Sequence, residues 1–218
     1  MCGTCGKARV GGEPVKILCV GRNYAKHVKE LGGQAAEQPV WFWKPESSIV
    51  HDGEPVHVPT GIGSVHHEVE LAVRIGKTLR RASASEALRH LDGVTVAVDV
   101  TARDLQNEAK KAGGPWDQAK GYDSFLPLGP WHPVDRDLQD LRLRLTVNGK
   151  VKQDGTTHDM TWPVAELLAR ASHWTTLMPG DVFLTGTPEG VGPIVPGDRM
   201  EAEVVGVAAV RNPVVGWD

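Results

Sequence analysis

The sequence has no apolar run long enough to cross a bilayer, which argues against a helical membrane protein. It has no excess of positive charge: 24 Lys and Arg against 27 Asp and Glu give a formal net charge of −3, so the basic footprint of a nucleic-acid binder is missing. The first residues, MCGTCGKARVGGEP, lack the apolar segment of a secretory signal. No nucleic-acid or membrane partner is therefore expected, and a cytoplasmic location follows by default. Cysteine is scarce, with Cys2, Cys5 and Cys19 alone. Cys2 and Cys5 form a C-x-x-C pair, but a structural zinc needs four ligands and no second pair follows. A redox pair normally opens a helix after a strand, whereas this one stands near a chain end. Cys19, inside VKILCVG, reads as a small core residue. No fixed-period repeat or low-complexity tract occurs, and the Gly-rich LTGTPEGVG lacks the Lys-Ser/Thr ending of a phosphate-cradling loop.

What is present suits one ordinary globular domain. Of the 218 residues, 40% are hydrophobic and 23% charged, enough for a sizeable core. Residues 1–14 read as a polar, Gly-rich and poorly ordered lead-in, and 15–218 as a single domain. VKILCVG (15–21) is a buried strand by its continuous apolar run. Residues 23–33 read as a short helix capped by Asn23 and stopped by Gly32-Gly33. PVWFWKP (39–45) is an aromatic strand. VHHEVELAVRIGK (65–77) alternates as one strand, with His66, Glu68, Glu70 and Ala72 on one face. SASEALRHL (83–91) carries the Ser83–Glu86 capping-box spacing, and GVTVAVDV (93–100) is a strand. TARDLQNEAKKAGG (101–114) reads as a helix capped by Thr101. Asn148-Gly149 between two alternating runs signals a hairpin. WPVAELLARASHW (162–174) is an amphipathic helix, and strands complete the chain. The sum is an α+β, β-rich chain without the strict alternation of a doubly wound fold.

Four groups of residues could carry chemistry. Glu68 and Glu70, at i and i+2 of a strand, point to one side, close enough to share a cation; the alternative is a solvated charged face. Asp99 ends an apolar strand, where a carboxylate is costly unless paired, hydrogen-bonded or metal-bound; it could otherwise serve the helix that follows. On that helix Arg103, Gln106 and Lys110 form a polar stripe whose first two members lie near Asp99. His27 and Glu30, at i and i+3 of a helix, could be a base with its orienting carboxylate, or two surface residues. Thr185 or Thr187, with the amides of the Gly-rich loop, could receive a small carboxylate, or the loop could be turn chemistry alone.

Taken in order, VGRNYAKHVKE (20–30), FWKPESS (42–48), GSVHHEVELAVRIGK (63–77), VDVTARDLQ (98–106), PWDQAKGYD (115–123) and LTGTPEGVGP (184–193) resemble the fumarylacetoacetate hydrolase family. The likeness runs from about Val15 onward and is closest to the small single-domain branch that includes acylpyruvate hydrolases and oxaloacetate decarboxylases. It implies a mixed β-roll or distorted sandwich with short flanking helices, usually a homodimer. It implies Mg2+ or Mn2+ held by Glu68, Glu70 and Asp99, a His27–Glu30 dyad on a mobile lid, an active-site Lys120, and substrate contacts from Arg22, Arg103, Gln106 and Thr187. His66 shares the face of the glutamates and is left as a supporting group. The implied reaction is hydrolysis of the C–C bond of acylpyruvates, decarboxylation of oxaloacetate, or both, through a metal-stabilised enolate. An isomerase or decarboxylase of unsaturated 2-oxo dicarboxylates is the alternative, and a non-catalytic metal-binding protein on the same fold a remote one. Trp41, Trp43 and Phe125-Leu126 depart from the family pattern, and the expectation is that they reshape a pocket wall.

Overall fold

The apolar run at the start of the domain is continuous because its strand is buried on both faces. Leu18 and Val20 join one core cluster and Ile17 and Cys19 another, all without solvent exposure. The computed structural model describes residues 16–30, 32 and 37–217. The expected lead-in, with Cys2 and Cys5, lies outside the described residues.

In chain order the first half contains β1 (Ile17–Gly21), α1 (Ala25–Glu30), β2 (Val40–Lys44), β3 (Ile49–Val50), β4 (Val56–Pro59), β5 (Val65–His67), β6 (Val69–Ile75), α2 (Ala84–Leu88), β7 (Leu91–Val98), β8 (Thr101–Ala102) and α3 (Arg103–Ala112). The second half contains α4 (Asp117–Lys120), β9 (Leu126–Pro127), β10 (Arg142–Val147), β11 (Lys150–Thr156), α5 (Val164–Trp174), β12 (Val182–Leu184), β13 (Gly192–Ile194), β14 (Arg199–Val204) and β15 (Ala208–Trp217). Two five-stranded sheets, ordered β2-β1-β12-β6-β7 and β11-β10-β14-β15-β4, share the larger core, which includes Leu71, Val73, Val94 and Val96 of the first and Leu143, Leu145, Val204 and Val210 of the second. A three-stranded sheet, β13-β5-β8, and the pair β3-β9 complete a mixed, β-rich fold with short helices, as the sequence predicts. No helix among the described residues is long and apolar enough to cross a membrane.

Local signals hold where short-range chemistry decides. Ser83 and Glu86 form the capping box of α2, and Val147 pairs with Lys150 across the Asn148-Gly149 loop. Three expectations fail where a side chain has a stronger tertiary partner. Asn23 does not cap α1, which begins at Ala25; its amide donates to the carbonyls of Thr185 (2.8 Å) and Trp162 (3.1 Å) and accepts from Trp162 N (2.8 Å). Thr101 does not cap α3; it lies in β8, its hydroxyl donates to Asp99 O, and the helix begins at Arg103. The strand expected over 65–77 is broken at Glu68, so β5 joins the small sheet and β6 the large one.

Gln153, a buried residue of β11, holds that break together. Its Oε1 accepts from Val69 N (3.0 Å) and lies 2.9 Å from His67 Nδ1, while its Nε2 donates to Thr187 Oγ1 (2.8 Å) and Pro188 O (3.0 Å). One amide thus joins both sides of the break to the Gly-rich loop. Gln153→Leu would leave these buried groups unsatisfied and should destabilise the fold by about 3 kcal/mol. Urea unfolding checks this, and an unchanged midpoint at equal slope would contradict it.

Candidate active site

The strand break and the β7–β8 corner bring three acids together. Glu68 sits in the break, Glu70 follows on β6, and Asp99 lies just past β7; Asp99 N donates to Glu68 O at 2.8 Å, which fixes the two backbones side by side. Each acid offers an oxygen lying within 4.8 Å of the other two, and all three are buried. They line one cavity of about 390 Å³ with His27, Arg22, Arg103, Gln106, Lys120 and Thr187. The structure therefore gathers every candidate site residue but Glu30 and Thr185 into the wall of one cavity, and Glu30 is tied to it through His27.

Buried cations balance the acids. Lys120 Nζ donates to Glu68 Oε2 (2.8 Å) and Asp99 Oδ2 (2.5 Å), and Arg103 donates to Glu68 Oε1 and to Gln106 Oε1 (2.6 Å). Lys44 Nζ stands 2.7 Å from Asp99 Oδ1, an ion-pair contact without hydrogen-bond geometry, and donates to Val100 O at 3.2 Å. Burial pushes Glu68 up, but Lys120 and Arg103 outweigh it and hold the carboxyl well below its usual range. Burial also works against the charge on Lys120, yet Asp99 and Glu68 prevail and raise its pKa. Glu70 is the contrasting case. Burial, then Asp99 and Glu68, raise its pKa far above the carboxylate range, opposed by Lys120 and by the Gly186 N–H that it accepts at 2.7 Å. That contact needs glycine: Gly186 has φ +93°, and a Cβ there would lie 2.8 Å from Asn23 Cβ.

This set fits a hard divalent cation. Three buried carboxylates converge, Asp99 Oδ1 has no hydrogen-bond partner among the described residues, and the donors are all oxygen.

His27 and Glu30 lie on α1, as the i, i+3 spacing predicts. His27 Nδ1 is 3.3 Å from Glu30 Oε2, and both Glu30 oxygens accept from Gly190 N (3.0 and 3.2 Å), which pins the helix to the Gly-rich loop. Burial lowers the His27 pKa, opposed by Glu68 and by the Glu30 hydrogen bond. An Nδ1–H donated to Glu30 leaves Nε2 with a free lone pair. His66 lines the cavity with its Nε2 3.0 Å from Ser64 Oγ; burial first and Arg103 second lower its pKa to about 4.

The helical stripe is borne out: Arg103, Gln106 and Lys110 all line the cavity, joined by Asn107. Thr187 lines it too, whereas Thr185 turns to structure, donating to Leu71 O at 2.9 Å. The expected wall residues do not reach it. Trp41 and Trp43 pack on Trp174 (ring centroids 5.9 Å in each case), and Phe125 is a core residue beside Tyr122. The pleat explains the error: Phe42 and Lys44 share the face opposite to Trp41 and Trp43, and Phe42 lines the cavity. The same alternation could have singled out Lys44, which sequence reasoning missed. Gln153 and Trp116 were also missed; nothing local distinguishes Gln153, whose partners are 34 to 86 residues away.

Comparisons with known proteins show the family and the fold. The family model described as fumarylacetoacetate (FAA) hydrolase C-terminal matches residues 16–215. "Oxaloacetate tautomerase YcgM" of Escherichia coli (strain K12) is 48% identical over 188 residues, 85% of this chain and 86% of that protein. "Oxaloacetate decarboxylase, mitochondrial" of Dictyostelium discoideum is 42% identical over 195 residues, 88% and 89% of the two chains. The crystal structure of fumarylpyruvate hydrolase from Pseudomonas aeruginosa, in complex with Mn2+ and pyruvate, superposes with a TM-score of 0.89 at 33% identity, covering 97% of this chain and 94% of that one. A match over nearly the whole described chain, with the same β-rich fold, makes this protein a member of the fumarylacetoacetate hydrolase C-terminal family.

Proposed function

We propose that this chain is a divalent-metal-dependent enzyme acting on small 2-oxo acids through their enolates, hydrolysing the C–C bond of acylpyruvates and decarboxylating oxaloacetate. The observation that carries this reading is the buried cluster of Glu68, Glu70 and Asp99 in the same cavity as His27 and Lys120. The names of the relatives support it. The hydrolase from Pseudomonas aeruginosa favours C–C hydrolysis, the Dictyostelium protein decarboxylation, and the Escherichia coli protein adds interconversion of the enol and keto forms of oxaloacetate.

When bound, Mg2+ or Mn2+ held by Glu68, Glu70 and Asp99 supplies Lewis acidity to the oxygen that gains charge as the enolate forms. His27, oriented by Glu30, takes a proton from water, and the hydroxide attacks the distal carbonyl of an acylpyruvate. The electron pair of the broken C–C bond passes to the enolate, which is protonated at C3 to give pyruvate and a carboxylic acid. Lys120, protonated between Glu68 and Asp99, and Gln106 offer hydrogen bonds to developing negative oxygen. Arg22, Arg103 and Thr187 are placed to hold the substrate's anionic and oxo groups. Decarboxylation needs the enolate but no attacking water, because carbon dioxide leaves instead. The α1 segment, clasped to Gly190 through Glu30, serves as the lid that excludes bulk water. A cytoplasmic homodimer is the expected setting, although the Dictyostelium relative is mitochondrial by name.

Treatment with EDTA should abolish turnover of acetylpyruvate and oxaloacetate, and Mg2+ or Mn2+ should restore it; turnover that survives chelation would sink the metal-dependent reading. His27→Ala should lower acetylpyruvate hydrolysis by about 100-fold or more while sparing oxaloacetate decarboxylation, and equal losses would contradict the division of labour. Because burial lowers the His27 pKa, its base form survives below the ordinary value of 6.5. The acid limb of kcat for acetylpyruvate should accordingly lie below pH 6.5, and a limb above it would assign the base to another group.

A further inference from the structure

Gln153 owes its inward position to an irregularity in β11. Leu145 pairs with Gln153 and Thr146 with Val151, so Lys152 is an extra residue, a bulge in the β10–β11 hairpin. Residues directly opposite each other share a face, which puts Gln153 with the buried Leu145 and turns Val151 outward, 57% exposed. In a regular strand these two residues, at i and i+2, would share one face. The bulge thus sends one polar side chain of β11 into the interior. The strand also lies close against the Gly-rich loop: a Cβ at Gly155 would stand 2.5 Å from Pro188 Cβ.

The buried amide has one orientation that satisfies its neighbours. Val69 N can only donate, so the side-chain oxygen must face it and the NH2 group must face the loop. His67 Nδ1 then directs its proton to the same oxygen. Both hydrogens of Nε2 are used, one on Thr187 Oγ1 (2.8 Å) and one on Pro188 O (3.0 Å). Thr187 Oγ1 is therefore an acceptor from Gln153, and its own hydrogen points elsewhere. Among the described residues its other contact is Pro188 O, at a long 3.5 Å and already held by Gln153. Thr187 lines the cavity, and the better direction for the hydrogen is into it.

We propose that Gln153 is a positioning residue: by donating to Thr187 Oγ1 it fixes that hydroxyl as a hydrogen-bond donor toward a negatively charged oxygen of the substrate. The inference rests on the reading above, in which Thr187 meets an anionic 2-oxo acid. A free hydroxyl can turn either its hydrogen or a lone pair to a ligand, and a lone pair turned to a carboxylate or an enolate repels it. The run of bonds from Val69 N through the Gln153 amide to Thr187 removes the second choice before the ligand arrives, so no reorientation is needed as charge develops.

The test is a double-mutant cycle read by the binding of oxalate, a planar dianion that resembles the enolate of pyruvate and only accepts hydrogen bonds. Its affinity for the full chain in Mg2+ is measured by calorimetry, independently of turnover. Thr187→Val should weaken oxalate at least about tenfold, and Thr187→Ser by less than about threefold. Gln153→Glu keeps the size and still accepts from Val69 N, but its carboxylate takes the Thr187 proton. In that background oxalate should already bind about tenfold more weakly, and Thr187→Val should cost less than about twofold more. Should this variant not fold, Gln153→Met gives the same readout, because Pro188 O, left without its donor, then captures the hydroxyl. A Gln153 that only supports the fold would give Thr187→Val the same cost in every background, and that result overturns the proposal. Oxalate binding by Thr187→Val equal to that of the wild type overturns it too, as does a wild type that does not bind oxalate. Coupling between the two positions without turnover of any acylpyruvate or oxaloacetate would sink the proposed reaction and leave the role of Gln153. Turnover without coupling would do the reverse.

Discussion

Three carboxylates buried within reach of a single ion impose the constraint around which this molecule is arranged. Removing Glu68, Glu70 and Asp99 from water is expensive, and their mutual repulsion adds to the cost. Buried cations offset it: Lys120 between Glu68 and Asp99, Arg103 on Glu68, and Lys44 beside Asp99. The compensation is uneven. Glu68 is held ionised by two cations, while Glu70, with one backbone N–H, is pushed toward its neutral form. A divalent cation would satisfy all three acids together, and a polar core of this kind is better suited to binding than to stability.

The backbone serves the same constraint. A regular strand through residues 65–75 would keep Glu68 in one ladder; breaking it there lets β5 and β6 join different sheets and leaves the acid at their junction. The hydrogen bond from Asp99 N to Glu68 O ties the end of β7 to that junction, and Gln153 ties it to the Gly-rich loop. Gly186 and Gly190 of this loop then donate to Glu70 and Glu30. The acidic floor, the Gly-rich loop and α1 are thereby coupled by hydrogen bonds, so a small displacement of one is felt by the others. Asn23 adds a further tie, holding the segment before α1 to Thr185 and Trp162.

The cavity is electrostatically graded along α3. At its floor the cations are neutralised by carboxylates; at its half-exposed end Lys110 and Arg22 have no carboxylate partner among the described residues. The aromatic residues divide in a similar way. Phe42 and Trp116 face the cavity, whereas Trp41 and Trp43 turn away to pack against Trp174.

The sequence by itself determined the elements and the kinds of chemistry. Alternation put Glu68 and Glu70 on one face, helical spacing put His27 beside Glu30 and aligned Arg103, Gln106 and Lys110, and Ser83–Glu86 and Asn148-Gly149 marked a helix start and a hairpin. These are short-range effects, set by steric periods of two and 3.6 residues and by local hydrogen bonds. Tertiary structure alone decided the break at Glu68, the roles of Asn23 and Thr101, the burial of Lys44, the reach of Gln153, and which aromatic residues face the cavity. Each of these depends on partners far away in the chain: Asn23 bonds residues 139 and 162 positions distant, and Lys44 a carbonyl 56 positions away. A polar side chain takes whichever partner the packed fold brings to it, and the local pattern that suggests a cap or a continuous strand holds no information about that partner.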